Sequence, residues 1–392
     1  MTLRNFLSYG PNTPEIGLRP LNVLIGPNGS GKSNLLEAIS LLAAVPGELP
    51  KPVREGGGVR EWMWKGEGAD DHARVAVVLN RGAVTVDGLP HEPIRYRLDF
   101  REIGSTFQIA DERVENAEAT GDGAAKPFFF FGYENGQPML SVHGQGEKRR
   151  TLKREDIDPT LSILAQRKDS DAYPEVTQVG KLFGACLLYR QWFFGPESPV
   201  RLSCPIDVRT DRLDMKLANL PARLAVLKKN QAVKKQILDA LHQLSHSFTD
   251  LEVVPEGGQL RLFLIEPGRE VPASRLSDGT LRLLCLLAIL LDPAPPPVIA
   301  IEEPELGLHP DMMSLLARLL KTASERTQLF VTTHSDALVS ALSDTPESVL
   351  VCERHGGRSV VQRLSATELE PFLKEFRLGQ LWLRGDLGGT AW

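Results

Sequence analysis

Cysteine is scarce in this chain: four residues among 392, Cys186, Cys204, Cys285 and Cys352, with no C-x-x-C spacing. That pattern excludes a disulfide framework and a thiolate metal site, and leaves buried thiols in a reducing compartment. Long apolar runs are missing too. The longest, Leu283 to Leu291, falls well short of the roughly twenty residues that span a bilayer. Met1 to Gly10 is polar and mixed, without the apolar stretch of a secretory signal, so a cytoplasmic protein with no membrane partner is expected. A net charge of −5 gives no global basic footprint, so nucleic acid would have to be met by a local patch. No heptad pattern persists long enough for a coiled-coil arm, and no internal repeat is present.

What remains is ordinary globular composition, 42% hydrophobic and 24% charged, at a length that predicts two or three domains or one large domain with insertions. Against that background Gly26-Pro27-Asn28-Gly29-Ser30-Gly31-Lys32-Ser33 stands out as a complete G-x-x-x-x-G-K-S phosphate loop. Residues 21–25 before it read as a short buried strand, and Leu35, Leu36, Ile39, Leu42 and Ala43 after it recur at helical spacing. Strand, glycine loop and helix form the context the motif needs. Glycines let successive backbone N–H groups turn toward one point, where the helix N-terminus adds positive dipole. Lys32 would then reach the β- and γ-phosphates of a nucleoside triphosphate, and the Ser33 hydroxyl would ligate Mg²⁺. The expected contact set is Asn28, Gly29, Ser30, Gly31, Lys32, Ser33 and Asn34.

Residues 73–142 change to short alternating runs. Positions 74–79, 83–86, 94–100 and 106–110 read as strands of an antiparallel meander, turning at 80–82, 87–90 and 102–104. Residues 118–126, rich in Gly and Ala, read as a mobile loop, and Phe128 to Phe131 as a buried strand in preference to a ligand-stacking platform. The basic run from Lys148 to Arg154 reads either as a solvated loop or as a phosphate-contacting patch. A helical section follows, with Ile237, Leu238, Leu241 and Leu244 on an amphipathic stretch, and then a hairpin at 251–254 and 260–265. The organisation expected is 1–152, 153–250 as a helical lobe, and 251–392.

The second half carries four apolar residues, Val298 to Ile301, ending in Glu302-Glu303-Pro304-Glu305. A buried parallel strand delivering carboxylates at its C-terminal end suits a metal and an attacking water. Glu302 is the candidate to hold Mg²⁺ or its water shell, and Glu303 to polarise the water. Ser277 reads as the N-cap of the apolar helix that ends at Asp292-Pro293, and Gly279 leaves N–H groups exposed at its start. Gln328 to Thr333 reads as a strand presenting His334, with a new helix after Ser335.

Phosphate loop, Leu276-Ser277-Asp278-Gly279-Thr280, the acidic pair and Thr333-His334-Ser335 follow the order of the ABC ATPase superfamily. Glu302 to Pro310 and the opening Leu3-Arg4-Asn5-Phe6 resemble its RecF/SMC-like branch, and more closely the stand-alone AAA or RecF-like ATPases of bacteria. The resemblance implies an α/β fold, a P-loop ABC-type head with a mixed central sheet, an antiparallel β-subdomain and a helical insertion. It implies ATP and Mg²⁺ as cofactors, and an ATP-dependent homodimer in which Ser277, Asp278 and Gly279 serve the nucleotide of the opposite copy. His334 becomes the switch histidine, and 306–309 the dimer-facing loop. It also calls for a glutamine that senses metal and water, assigned to Gln166 over Gln108 and Gln191.

Departures from the pattern narrow the role. Asp278 and Thr280 replace two residues of the transporter Leu-Ser-Gly-Gly-Gln signature, and the acids of a Toprim nuclease of the overcoming-lysogenization type are missing after His334. The expected function is a switch that hydrolyses ATP in DNA maintenance, repair or anti-phage defence. The alternative is an ATP-gated scaffold that controls a separate effector, a nuclease or toxin, without touching DNA.

Overall fold

A computed structural model describes residues 1–86, 88–119, 127–144, 149–190 and 192–389. The readings at 120–126, Lys148 and Gln191 lie outside the described residues. The chain divides into two compact units, one of Met1–Leu18, Pro27–Cys186 and Cys352–Gln362, the other of Arg19–Gly26, Leu187–Val351 and the chain from Arg363 onward.

The first unit is built on a seven-stranded sheet in the order Thr2–Arg4, Ala73–Leu79, Ile94–Ile103, Thr106–Asn116, Phe129–Glu134, Gln137–Ser141 and Arg149–Thr151. Every pairing in it is antiparallel. The meander expected from the alternating runs is therefore present, with the stretch at 83–86 reduced to Thr85–Val86 paired with Leu89–Pro90. Alternation sets the faces: Ile94, Tyr96 and Leu98 are buried while Arg95 and Arg97 stay half-buried on the other side. On that outer side Arg74 holds Asp99 through both carboxylate oxygens, at 2.8 and 2.7 Å, and Arg97 pairs with Asp111 across the next strand. Phe129, Phe130 and Phe131 are buried, as a strand reading requires. Helix Pro174–Gly184 packs on the inner face, where Phe183 meets Tyr96 edge-on at 5.1 Å.

The second unit contains parallel strands in the order Leu187–Tyr189, Val298–Glu302, Gln328–Thr332 and Leu21–Ile25, with residues 349–351 of strand Val349–His355 pairing beside Leu21–Ile25. Leu21–Ile25 is buried at every position, as expected of an interior parallel strand. Helix Asp278–Leu290 is buried from Thr280 to Leu290 and belongs to the same apolar core as Ile299, Ile301, Leu329 and Val331. A helix apolar on all sides has no solvent face to offer, so it serves as the unit's central rod. A separate antiparallel sheet joins Asp250–Glu256 to Gln259–Glu266, the expected hairpin. Helix Gln231–Leu244 is the amphipathic stretch, capped by Asn230.

Residues 153–250, expected as one helical lobe, divide between the two units after Cys186 and carry the strands Leu187–Tyr189 and Cys204–Pro205 besides their helices. All four cysteines are free and buried, and burial pushes the Cys186 and Cys352 thiols up to about 12. No helix among the described residues is long and apolar enough to cross a membrane.

One buried carboxylate links the sheet of the first unit to its short helix Ile163–Gln166. Glu112 accepts hydrogen bonds from the Tyr96 hydroxyl at 2.8 Å, from Ile163 N at 2.9 Å and from the Ser162 hydroxyl. Burial nevertheless raises its pKa above the ordinary carboxyl value. The folded chain therefore holds this proton more tightly than the unfolded one. Its contribution to stability is complete below the unfolded pKa of about 4.3 and is lost as pH rises through the folded value. Compared with Glu112→Gln, the parent protein is expected to lose stability as pH rises above that unfolded value, by about 1.4 kcal/mol for each unit of elevation. Parallel melting curves for the two proteins across that range would discard the assignment.

Candidate nucleotide site

From Pro27 onward the phosphate loop lies in the first unit, leading into helix Lys32–Ala44. Gly29 and Gly31 adopt φ of 76° and 105°, a region closed to most side chains. Gly31 is required twice over, because a Cβ there would stand 2.2 Å from Ser359 Oγ and 2.9 Å from Ser8 Oγ. The Tyr9 hydroxyl supports the loop by donating to Gly31 O at 3.0 Å, and its burial holds it well above the ordinary tyrosine range, so it remains a donor. Asn34 Nδ2 donates to Ser8 Oγ at 2.7 Å. Lys32 is only 6% exposed, and its ammonium folds back to donate to Pro27 O at 2.9 Å.

These residues fit a phosphate and its metal. The helix has no side-chain cap at Gly31 and no acid in its first turn, so no carboxylate there opposes an anion. Ser30 Oγ is buried without a hydrogen-bond partner, a polar atom that a phosphate oxygen would satisfy. Ser33 is exposed on the first turn, Asn28 and Gly29 are exposed at the loop's tip, and Ser30 and Gly31 are buried with Lys32.

In the second unit, the C-terminal ends of three adjacent parallel strands bring Tyr189, Ile301-Glu302 and Thr332 side by side. Arg190 Nε lies 3.2 Å from Glu302 Oε2, and Trp192 Nε1 donates to Glu302 O at 2.8 Å. Glu303 has φ of 47°, and its N–H donates to Thr332 O at 3.0 Å. His334 Nε2 stands 3.7 Å from Glu303 Oε1, so the expected base and the expected switch histidine are neighbours. Ser277 caps helix Asp278–Leu290 through Thr280 N at 3.1 Å, and both Ser277 and Asp278 are exposed. Asp278 pairs with Arg201. A Cβ on Gly279 would stand 2.6 Å from Gly307 O, so the signature segment and the loop after the acidic pair are in close contact.

The family model described as "AAA domain, putative AbiEii toxin, Type IV TA system" matches residues 21–121 and 197–340, more than half of the chain. The chain belongs to this AAA family. No curated protein matches it. Among solved structures, an Smc head bound to the C-winged helix domain of ScpA aligns with TM-score 0.58 at 16% identity, covering 93% of this chain and 97% of that one. A Pyrococcus furiosus Smc head with an extended coiled coil, bound to the C-terminal domain of ScpA, aligns with the same score and identity over 95% and 97%. A Pyrococcus yayanosii Smc head with a coiled coil and joint gives 0.51 at 13% over 95% and 98%. These likenesses concern the fold. The fold of this AAA-family chain is a P-loop ABC-type ATPase head of the SMC and RecF-like kind, as its motifs implied.

Two of the expected elements have local partners that the sequence did not show. Gln166 staples a local turn: Nε2 donates to Asp158 O and Leu161 O, and Oε1 accepts from Asp158 N. The strand beside Val298–Glu302 ends at Tyr189, and the glutamine that follows it is Gln191, outside the described residues. Gln108 sits in strand Thr106–Asn116 opposite Arg101. In the basic run, Arg149–Thr151 is a strand and not a free loop; Arg149 pairs with Glu134 and stacks 4.0 Å over the Phe129 ring, while Arg150 and Lys153 are exposed, Lys153 pairing with Glu155 at the surface.

Several residues of the acidic region escaped the sequence reading. Glu305 is buried and accepts from the Thr333 hydroxyl at 2.6 Å and from His334 N at 3.0 Å, while its Oε2 has no partner. Burial raises its pKa. Glu305 thus holds the backbone that carries His334. The third acid in Glu-Glu-Pro-Glu was the available signal. Arg282, the lone charge in the run Leu281 to Leu291, was another.

Proposed function

We propose that this chain binds ATP with Mg²⁺, hydrolyses it to ADP and phosphate, and uses the cycle to switch between an open form and a homodimer closed around ATP. The uncapped helix N-terminus at Gly31, with Lys32 folded over the loop and Ser30 Oγ unsatisfied, is the observation that carries the reading. Lys32 releases the Pro27 carbonyl to take phosphate oxygens, and the loop N–H groups hold the rest of the charge. Ser33 and Glu302 are the residues that would hold Mg²⁺, which when bound offsets charge on the β- and γ-phosphate oxygens. Glu303 accepts a proton from the attacking water, with His334 beside it orienting that carboxylate. Ser277, Asp278 and Gly279, exposed or half-exposed at a helix start, serve the nucleotide of the second copy.

The closed form acts on a separate protein. The engagement of Arg149 by Glu134 and the Phe129 ring supports that reading over direct contact with DNA, as does the family's description, which names a toxin–antitoxin system. Defence against foreign DNA is the setting we propose. Hydrolysis measured with and without single- and double-stranded DNA tests both parts: turnover independent of DNA supports a protein client, and salt-sensitive stimulation by DNA reverses the preference.

Complementation tests the dimer. Ser277→Arg places bulk and charge where a triphosphate approaches, and leaves Lys32 untouched. Mixed with Lys32→Ala, it yields heterodimers with one doubly defective site and one intact site. Equal mixing is expected to restore about a quarter of wild-type turnover, since half of randomly assorted dimers have one good site of two. Heterodimers that form and remain inactive would count against shared sites.

A further inference from the structure

Arg282 is buried within an otherwise apolar helix at 7% exposure, a costly place for a charge. Among the described residues no carboxylate lies within ion-pairing distance of it. Its guanidinium donates to Glu303 O at 2.9 Å and lies 5.1 Å from the centroids of both the Trp192 and the Phe194 rings. Those rings stack at 6.1 Å, and Trp192 in turn donates to Glu302 O. Two neighbouring residues therefore hold the two successive carbonyls of the acidic pair.

The carbonyl that Arg282 holds belongs to a residue with φ of 47°, an uncommon conformation for a side chain larger than glycine. Such backbone persists only where its surroundings impose it. Glu303 is pinned at its N–H by Thr332 O and at its carbonyl by Arg282. These two bonds fix where the Glu303 side chain leaves the backbone, and so set the positions its carboxylate can reach.

The same guanidinium is tied to the signature segment. Asp278 and Arg282 are one turn apart on the helix, and Asp278 pairs with Arg201. Arg201 also donates to Phe194 O at 2.8 Å and to Leu276 O at 2.7 Å. An anion arriving beside Asp278 draws on Arg201 through charge-assisted hydrogen bonds. That pull reaches Phe194, whose ring packs against Arg282.

We propose that Arg282 is a positioning residue that couples phosphate at Ser277–Gly279 to the orientation of the Glu303 carboxylate. The role rests on the ATPase reading given above. The strength of the Arg282 bond to Glu303 O depends steeply on angle, so a shift of the helix start that straightens this bond tightens the hold on the Glu303 backbone. Glu303 is thereby aimed for catalysis when the second copy's nucleotide is in place.

The test uses the full chain with Arg282→Met, which keeps the stem and removes the donor, and Arg282→Lys, which restores a charged donor. Fluorescent ATP gives binding, phosphate release gives kcat and KM, and Glu303→Gln is run alongside. Arg282→Met is expected to keep ATP affinity and KM within about twofold and to lose about tenfold or more in kcat, with part of the loss recovered by Arg282→Lys. Arg201→Met, changed at the far end of the chain of contacts, is expected to lower kcat at unchanged affinity, and it decides the matter if Arg282→Met does not fold. Wild-type kcat in Arg282→Met, or equal loss of binding and turnover, overturns the positioning role. A wild-type protein whose hydrolysis is absent, or is unaffected by Glu303→Gln, overturns the ATPase reading instead and removes the reaction this role serves.

Discussion

Glu303→Gln is expected to bind ATP as the parent does and to hydrolyse it at least about a hundredfold more slowly, the usual scale for losing a general base. The substitution is nearly isosteric, and the contacts that shape the backbone here do not use the side chain. Glu303 N–H donates to Thr332 O, and Arg282 donates to Glu303 O, whichever group the side chain ends in. What disappears is an acceptor for the water's proton and the charge that faces His334 at 3.7 Å. Glu302 cannot substitute easily, because Arg190 lies against its carboxylate. Glu305 is also ill placed, with one oxygen holding Thr333 and His334 and the other buried. A protein that binds but does not hydrolyse accumulates in the ATP form. Co-purification of a client or of a dimer should therefore increase in this variant when ATP is present. Turnover near the parent's would move the base elsewhere, and equal recovery of partners by both proteins would remove the basis for a switch.

The parts of the site that were legible in the sequence are those encoded by adjacent residues. Eight consecutive residues spell the phosphate loop, Ser277 caps a helix that starts one residue later, and an apolar run of four announces the strand that ends in Glu302. Each is decided by local chemistry: φ freedom, a capping oxygen, or burial on both faces. The meander in the first unit was legible for the same reason, since alternation needs only neighbours. What stayed hidden depends on partners far along the chain. Arg190 meets Glu302 across 112 positions and Trp192 meets it across 110, and Leu187–Tyr189 is too short a strand to show a period. Gln166 was chosen from its place in the order of elements, which does not show that its amide bonds to Asp158 and Leu161. The pairing of Arg149 was hidden for the same reason, because Glu134 and the Phe129 ring that engage it both lie elsewhere in sequence.

Lys32→Ala is expected to abolish ATP binding at concentrations that saturate the parent protein, while leaving the ATP-free fold close to its original stability. Lys32 is 6% exposed and its ammonium is turned onto Pro27 O, so the side chain has given up much of its water for a loop carbonyl. Desolvation offsets much of that contact, and removing the charge should change the ATP-free protein by no more than about 1 kcal/mol. With a triphosphate in the loop the balance differs. Each charge-assisted hydrogen bond from Lys32 to a phosphate oxygen is worth roughly 1.5–3 kcal/mol, and the variant leaves that negative charge facing backbone donors alone. Thermal unfolding reads the difference directly. At a nucleotide concentration about a hundredfold above its dissociation constant, the parent gains about 2.7 kcal/mol of stability by mass action. Lys32→Ala should show almost none of that gain at the same concentration, whereas Glu303→Gln should show all of it. The pair separates holding the nucleotide from cleaving it, using one instrument and no assumption about partners. A full ATP-induced shift in Lys32→Ala would mean that the nucleotide binds without this loop's cation, and the phosphate-loop assignment on which the ATPase reading stands would have to be abandoned.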